Sequence, residues 1–469
     1  MVAGDVIGEV RGLMASGVPV HMSGIGGVGM AGLALLLRAK GIAVSGCDLH
    51  PGPFSEALRR AGIPVYSGHA VASAADPAGW VIRSAAVRLA QPDLQYALSR
   101  GVPIFRRGEV LPALVQSASR SIAVAGTHGK TTTSTLVAQL LHSLQPAWCI
   151  GGVSAPYPVP GGDGAGPLVV EADESDGTLA HYTSDVALIT NVDFDHMEHF
   201  DSVAAFEACF GTFLEKARER VVYCADDARA SAVCAAGGNK RLGYGFSADA
   251  GVRGVWVGKR EMRVLFPDGQ ETRVDLPASL PGRHNALNLL GALAVCYALD
   301  VPEHVWQPAV AGLCLPARRF EVVADRYGMQ VVTDYAHHPV EIAAVIRMAR
   351  ELHQGRILAV FQPHRYSRTQ ALLRDFPAAF CGVDQLVLTP VYAASEMPLA
   401  GGNTEDLLRQ CESAAGGYAT SMVRDLSEAA ALVCAEMRAG DLVLVLGAGD
   451  VEKVGRMISD VIPSLNGGE

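Results

Sequence analysis

The chain has 469 residues, 49% hydrophobic and 18% charged, with 51 glycines and a formal net charge of -10 at pH 7. That length exceeds one ordinary core and suits about three domains of roughly 150 residues, and so much glycine suits an α/β protein with many strand-to-helix turns better than a disordered or coiled chain. A net negative charge without any basic block disfavours a broad nucleic-acid surface, so phosphate must be met locally.

The opening residues, MVAGDVIGEVRGL, contain no apolar signal-peptide region, and the ten cysteines are scattered without a CxxC pair. Reduced thiols and a cytoplasmic protein are expected. No apolar run approaches the roughly 20 residues that span a bilayer. The apolar segment Gly17 to His21 reads as a strand that enters the loop SGIGGVGMAG and the helix LALLLRAKG. Gly24, Gly26 and Gly29 satisfy G-x-G-x-x-G there, and Asp48 ends the next strand, IAVSGCD. Alone, this turn fits a nicotinamide cofactor, another diphosphate ligand, or merely tight helix packing. The stretches GIPVYSG, WVIRSAAV and VPIFRR then alternate with helical segments as in a parallel sheet, up to a boundary near Ser119.

The second block opens on AVAGTHGKTTT, residues 123–133, a strand that turns into a helix through Gly126 and Gly129. Such glycines bring backbone N–H groups to phosphate oxygens, Lys130 would reach the outer phosphates, and the Thr131 hydroxyl would ligate magnesium. The spacing departs from the common phosphate-loop pattern, with Val124 at the first glycine position. LVVEADESD and VALITNVDFDHMEHF read as buried strands with carboxylate-rich ends. Glu171 and His196 stand there, and with Thr131 they make a magnesium site. Asp173, Glu174, Asp176, Asp193 and Asp195 crowd the same rim and would repel one another without compensation, which favours a metal over a solvated acidic face. A stretch of antiparallel strands follows, and LPGRHNALNLLGALAVCYAL closes the block as a long helix.

CLPARRFEVV reads as a linker into a third parallel sheet of MQVVTDY, RILAVFQP, QLVLTPVY and DLVLVLGAG. DYAHHP and FQPHRYSR end two of these strands, which puts Asp334, His337, Arg365 and Arg368 along one edge. Two arginines three apart can grip a carboxylate, although arginines are equally common as idle surface residues. Arg318 and Arg319 would reach a phosphate. Two phosphate loops in two blocks argue against a dehydrogenase.

HMSGIGGVGM, GTHGKTTT, EADESD, TNVDFDHM, GRHNALN, RRFE, DYAHHP, FQPHRYSRT and VYAASEMP, in this order over nearly the whole chain, resemble the Mur ligase family. The resemblance implies three α/β domains. Residues 1–118 would form a Rossmann-like domain for a UDP substrate, 119–314 a central P-loop ATPase domain with a mostly parallel sheet, and 315–469 a Rossmann-like domain for an amino acid. It implies a cytoplasmic ligase of peptidoglycan precursor synthesis that uses ATP and Mg2+ to join L-alanine to the carboxylate of UDP-N-acetylmuramic acid through an acyl phosphate. It would act as a monomer or weak homodimer with no nucleic-acid or membrane partner.

Residue by residue, the resemblance places Ser23, Gly24, Gly26, Gly27, Gly29 and Asp48 on the UDP moiety. Gly126, Thr127, His128, Gly129, Lys130, Thr131 and Thr132 would hold ATP phosphates, with Lys130 catalytic, and Thr131, Glu171 and His196 would hold magnesium. His284 and Asn288 would sit near adenine, while Arg319 and Asp334 would contact the nucleotide after closure. Tyr335, His337, Arg365 and Arg368 would form the alanine pocket, with His337 taking the amine proton. No counterpart of the family's carbamylated lysine is evident, since Lys216 is nearby but out of register. Ala336, Ser395 and Asp450 stand where Gly, Gly and Asn are expected. The nearest alternative is the family's recycling ligase, which joins a whole tripeptide to the same sugar nucleotide. Its relatives carry GICG and lack HRYSRT, whereas GIGG and HRYSR stand here. An NAD-dependent oxidoreductase and a nucleotide-switch binding protein are the other classes.

Overall fold

Three sheets, 21 strands among the described residues, organise the computed structural model, which describes residues 5–49, 52–70, 78–174, 177–193, 200, 202–235, 240–394, 396–414 and 416–465. The first sheet holds β1 (Val20–Ser23), β2 (Val44–Asp48), β3 (Val65–Ser67), β4 (Trp80–Arg83) and β5 (Ile104–Arg106) in the order β3-β2-β1-β4-β5. All its pairings are parallel. The order reverses at β1, so the crevice beyond the carboxyl end of β1 is where such a sheet takes a ligand. β1 begins later than the apolar segment suggests, because Gly17 makes a turn at φ 67° and Pro19 has no N–H for a ladder.

The second sheet holds β6 (Ser121–Ala125), β7 (Ala147–Cys149), β8 (Gly161–Gly162), β9 (Leu168–Glu171), β10 (Val186–Ile189), β11 (Arg220–Cys224), β12 (Arg241–Gly245), β13 (Val252–Trp256), β14 (Glu261–Leu265) and β15 (Glu271–Asp275). Its order is β15-β14-β13-β12-β11-β10-β6-β9-β7-β8. β6 lies between β10 and β9, parallel to both, with Ile189 opposite Ala125 and Glu171 opposite Val124. That register brings the ends of β9 and β10 beside the phosphate loop. The stretch expected to be antiparallel is so only at β13, β14 and β15, whereas β11 and β12 extend the parallel sheet. Every residue of β6 is buried, with Ala123 and Ala125 facing one core and Ile122 and Val124 the other. The long helix Arg283–Ala298 covers the second face.

The third sheet holds β16 (Glu321–Arg326), β17 (Met329–Asp334), β18 (Ile357–Phe361), β19 (Gln385–Leu388), β20 (Ala419–Met422) and β21 (Leu442–Leu446), in the order β16-β17-β21-β18-β19-β20. Only β16 runs antiparallel. It takes up residues that read as linker in the sequence, because an edge strand with mostly exposed residues carries little apolar pattern. Leu442, Leu444 and Leu446 enter one core and Val443 and Val445 the other, the alternation of a strand covered on both faces.

The chain divides into two compact units. The first comprises 1–281 and 285–316, with the first two sheets, and the second comprises 282–284 and 317–469. No helix among the described residues is long and apolar enough to cross a membrane.

Candidate active site

Two glycines shape the loop after β6. Gly126 sits at φ 131° with Thr190 Oγ1 only 2.0 Å from where a Cβ would stand, and Gly129, which precedes the helix Lys130–Leu140, sits at φ 79° with Asn288 Oδ1 at 2.8 Å. Residues after β10 stake the loop down. Asn191 Oδ1 accepts from the His128 N–H at 2.9 Å, Asn191 Nδ2 and Thr190 Oγ1 donate to the His128 carbonyl, and Thr127 Oγ1 donates to the Asp193 carbonyl at 2.9 Å. Thr132 is buried in the first turn of the helix. Thr133 Oγ1 donates to Asn288 Oδ1 at 3.3 Å, so Asn288 buttresses the loop from the long helix.

Lys130 curls back over the loop. Its Nζ donates to the carbonyls of Gly126 at 2.6 Å and Thr127 at 3.1 Å and to Glu174 Oε1 at 2.9 Å. Burial opposes the Lys130 charge, but Glu174, Asp173 and Glu171 more than offset it and hold the ammonium protonated. Burial pushes the Glu174 carboxyl up while Lys130 pulls it back down. Among the described residues, three rim acids are met by protein cations. Glu174 has Lys130, Asp173 has Arg107 Nη2 at 3.3 Å, and Asp193 has Arg229 Nη1 at 3.1 Å. Protein cations thus supply compensation that the crowding of these acids calls for. What remains suited to magnesium is donor chemistry, a hydroxyl on Thr131 in the first turn after the loop and a carboxylate on Glu171 at the end of β9. Glu171 Oε2 accepts from the Gly151 N–H at 2.8 Å, and Thr131 Cγ2 lies 2.8 Å from where a Cβ on Gly152 would stand. Hard oxygen donors fit Mg2+. His196, with Asp176 and Asp195, lies outside the described residues.

The glycine loop after β1 is tied to β2. Gly24 and Ile25 donate N–H bonds to the Cys47 carbonyl at 2.8 and 3.1 Å, and Gly26 donates to Asp48 Oδ2 at 2.9 Å. Gly27 caps the helix Val28–Ala39, and Gly29 in its first turn abuts the Arg107 guanidinium. Asp48 thus shapes the loop itself. Ser23 is fully buried, and its hydroxyl turns inward to Asp93.

In the second unit, the ends of β17 and β18 gather a row of rings and cations. His337 Nδ1 lies 3.0 Å from the Tyr335 carbonyl oxygen. A carbonyl only accepts, so Nδ1 carries the proton there and a neutral His337 has Nε2 as its basic nitrogen. The His337 ring meets Tyr335 edge-on at 5.6 Å and His364 at 5.7 Å. Arg368, buried on the helix Tyr366–Ala371, donates Nη1 to His364 Nδ1 at 3.2 Å, and His364 stacks on Tyr392. Arg365 caps that helix at φ 69°. Arg318 and Arg319 place guanidinium carbons 4.8 and 5.4 Å from the Tyr335 ring centre. Arg318 is further committed to Glu452 and to the Gly447 and Gly449 carbonyls, while Arg319 approaches Glu341 at 3.9 Å. Asp334 is buried and accepts N–H bonds from Phe320 at 2.7 Å and Ala336 at 2.8 Å. Burial raises its carboxyl, with Arg319 and these two bonds acting against that. His284 is held neutral, its pKa lowered to about 4 by burial and by Arg319 and Arg347.

Three family models match in series: the Mur ligase family catalytic domain over 19–118, the Mur ligase middle domain over 124–296, and the Mur ligase glutamate ligase domain over 318–449. This chain belongs to the Mur ligase family. It is 37% identical over 443 residues to the UDP-N-acetylmuramate--L-alanine ligase of Dinoroseobacter shibae, covering 92% of this chain and 95% of the relative. The crystal structure of UDP-N-acetylmuramate-alanine ligase from Thermotoga maritima superposes with a TM-score of 0.80 at 26% identity, covering 96% of this chain and all of that one. A murein peptide ligase from Psychrobacter arcticus shares the fold at a TM-score of 0.72 and 22% identity, covering 95% and 98%.

Several parts of this Mur ligase's site escaped the sequence reading. Glu174 was grouped with the rim acids, although it is the buried partner of Lys130; Arg107, His364 and Asn191 were not singled out. His364 opens the HRYSR stretch. Lys216, left unassigned, donates to the Ala180 carbonyl at 2.6 Å at the surface. Ala336 is buried without left-handed backbone, so no glycine is required there. Asp450 accepts from Gln362 Nε2 at 3.0 Å, and Ser395 lies outside the described residues.

Proposed function

We propose that this Mur ligase, an ATP-dependent amide-forming enzyme, joins L-alanine to the lactyl carboxylate of UDP-N-acetylmuramic acid in peptidoglycan precursor synthesis. The observation that carries the reading is near full-length similarity to a ligase of that name, on a chain whose phosphate loop and arginine-bearing strand ends suit the two half-reactions. We assign 1–118 to the sugar nucleotide, 119–314 to ATP and 315–469 to the amino acid. A cytoplasmic setting, where ATP and the sugar nucleotide are made, goes with this.

The carboxylate oxygen attacks the γ-phosphorus of ATP, ADP leaves, and an acyl phosphate forms. The loop from Gly126 to His128 and the first-turn N–H groups from Gly129 to Thr132 cradle the phosphates, and Lys130 exchanges Glu174 for the outer phosphate, where its charge stabilises the transferring group. Thr131 and Glu171, with His196, are the residues that would hold Mg2+, which supplies charge neutralisation at phosphate oxygens when bound. The alanine carboxylate pairs with the Arg365 and Arg368 guanidiniums beside Tyr335, which orients the amine. His337 Nε2 takes the amine proton as nitrogen attacks the acyl carbon and phosphate leaves. Asp48, Asn288 and Asp334 serve by holding loops in shape, and His284 lies at the start of the helix that carries Asn288.

An isotope experiment tests the activation step. UDP-N-acetylmuramic acid labelled with 18O in its carboxylate should deliver one 18O to the phosphate released during L-alanine ligation. Unlabelled phosphate would exclude the acyl phosphate.

A further inference from the structure

Beneath the glycine loop of the first sheet lies a cluster of soft and nitrogen ligands. Four elements contribute: His21 on β1, Cys47 on β2, His69 just past β3, and Asp93 on the helix Pro92–Ser99. All are buried, His21 at 1%, Cys47 at 0%, His69 at 7% and Asp93 at 2% exposure. Cys47 Sγ is 3.3 Å from His69 Nδ1 and 3.3 Å from Asp93 Oδ2, and His69 Nδ1 is 3.4 Å from the same oxygen. A ring nitrogen of His21, Cys47 Sγ and an Asp93 oxygen also lie within 4.8 Å of one another, a group that His69 joins through Cys47 and Asp93. Around a tetrahedral zinc with bonds of about 2.0–2.3 Å, neighbouring ligand atoms stand about 3.3–3.7 Å apart, so the triangle already has the size of a coordination face.

Hydrogen bonding alone leaves this cluster incomplete. His21 Nδ1 is engaged by Ser45 Oγ at 3.0 Å, while His21 Nε2 and Asp93 Oδ1 are buried with no hydrogen-bond partner. Leaving such atoms unsatisfied is costly, and each is a lone-pair donor that a cation would satisfy. Ser23 Oγ donates to Asp93 Oδ2 at 2.6 Å, the kind of outer bond that orients a ligating carboxylate.

We propose that His21, Cys47, His69 and Asp93 bind a zinc-class divalent cation as a structural site, distinct from the magnesium of the phosphate loop. One thiolate, one carboxylate and two neutral imidazoles balance the two positive charges, so the buried assembly is electrically neutral. The proton displaced from the Cys47 thiol passes to solvent on binding. The thiolate and imidazoles select zinc over magnesium, which prefers hard oxygens. The ion would clamp β1, β2 and the segments after β3 and β4 under the loop, since the Cys47 carbonyl also holds the N–H groups of Gly24 and Ile25.

The test uses the intact chain, stripped with chelator and titrated with Co2+ alone and then with Zn2+ alone. One equivalent of Co2+ should produce a thiolate-to-metal charge-transfer band that Zn2+ bleaches and Mg2+ does not, and Zn2+ should raise the melting temperature. Cys47→Ser should abolish the band and weaken Zn2+ binding at least about 100-fold, and Asp93→Asn should weaken it at least about tenfold. Cys381→Ser, at an exposed cysteine of the second unit, should leave the band intact. No band with wild-type protein, or a band that survives Cys47→Ser, would overturn the site. Should Cys47→Ser fail to fold, Asp93→Asn carries the comparison, and unchanged Zn2+ affinity in it would overturn the proposal as well.

Discussion

Lys130 and Glu174 form a buried ion pair on the loop that would receive phosphate, and removing one partner strands the other. Lys130→Met should therefore destabilise the protein by about 3 kcal/mol in urea unfolding, and adding Glu174→Gln should restore most of that loss. Neither variant should recover activity, because a fixed cation at the transferring phosphate is worth about 10²–10³ in kcat. If Lys130→Met alone retained wild-type kcat, the residue's role would be wrong. At the other half-reaction, Arg368→Ala should raise KM for L-alanine by about 100-fold or more while leaving KM for ATP near its original value. His337→Ala should lower kcat by about 100-fold or more and remove the acid limb of its pH profile, and a normal rate and profile would end the general-base assignment. The lysine, the arginines and His337 were legible because motif spacing exposes them. Glu174 was not, since a sequence does not say which of several neighbouring acids turns inward.

At the scale of elements, the strand-loop-helix from β6 to Lys130–Leu140 could be read directly, because an apolar run, two glycines and a helical pattern agree about one structure. Its sensitivity follows from the same features. Gly129→Ala must hold a Cβ at φ 79° and 2.8 Å from Asn288 Oδ1, so it should cost about 1–3 kcal/mol and weaken ADP binding as measured by calorimetry. Asn288→Ala in the same chain should relieve the collision but not the backbone strain; full rescue would show that φ is not the constraint. The sequence reading missed β16 and β20 for a related reason. β16 is an edge strand whose residues are mostly exposed, β20 has no buried residue, and neither offers a strong apolar pattern. RRFEVV further looked like linker because its entry is irregular, with Arg318 and Phe320 both in the left-handed region while Asp334 captures the Phe320 N–H. Such tertiary capture has no local signature.

For the whole molecule, three mostly parallel sheets were legible from glycine punctuation and buried strands, and the first two share one compact unit through packing that no pattern announces. Arg107 is an example: it reaches from beside Gly29 to Asp173 after β9. Acid should loosen the second unit. His284 titrates at about 4 when folded against an ordinary value of 6.5, so the unfolded chain binds the proton more readily. Its stabilising contribution is complete above pH 6.5 and falls away as pH drops toward 4, up to about 3 kcal/mol. Chemical denaturation at pH 7 and pH 4.5 should show a smaller acid loss in His284→Gln than in wild type, and an equal loss would assign the acid lability elsewhere.

The central claim, an alanine-specific ligase of the sugar nucleotide, is tested most directly by phosphate release from magnesium-ATP with UDP-N-acetylmuramic acid and L-alanine, against the stem tripeptide and against no amino acid. The account predicts release that requires both the sugar nucleotide and L-alanine. Preference for the tripeptide would contradict it in favour of a recycling ligase, and release that depends on neither would contradict ligation altogether.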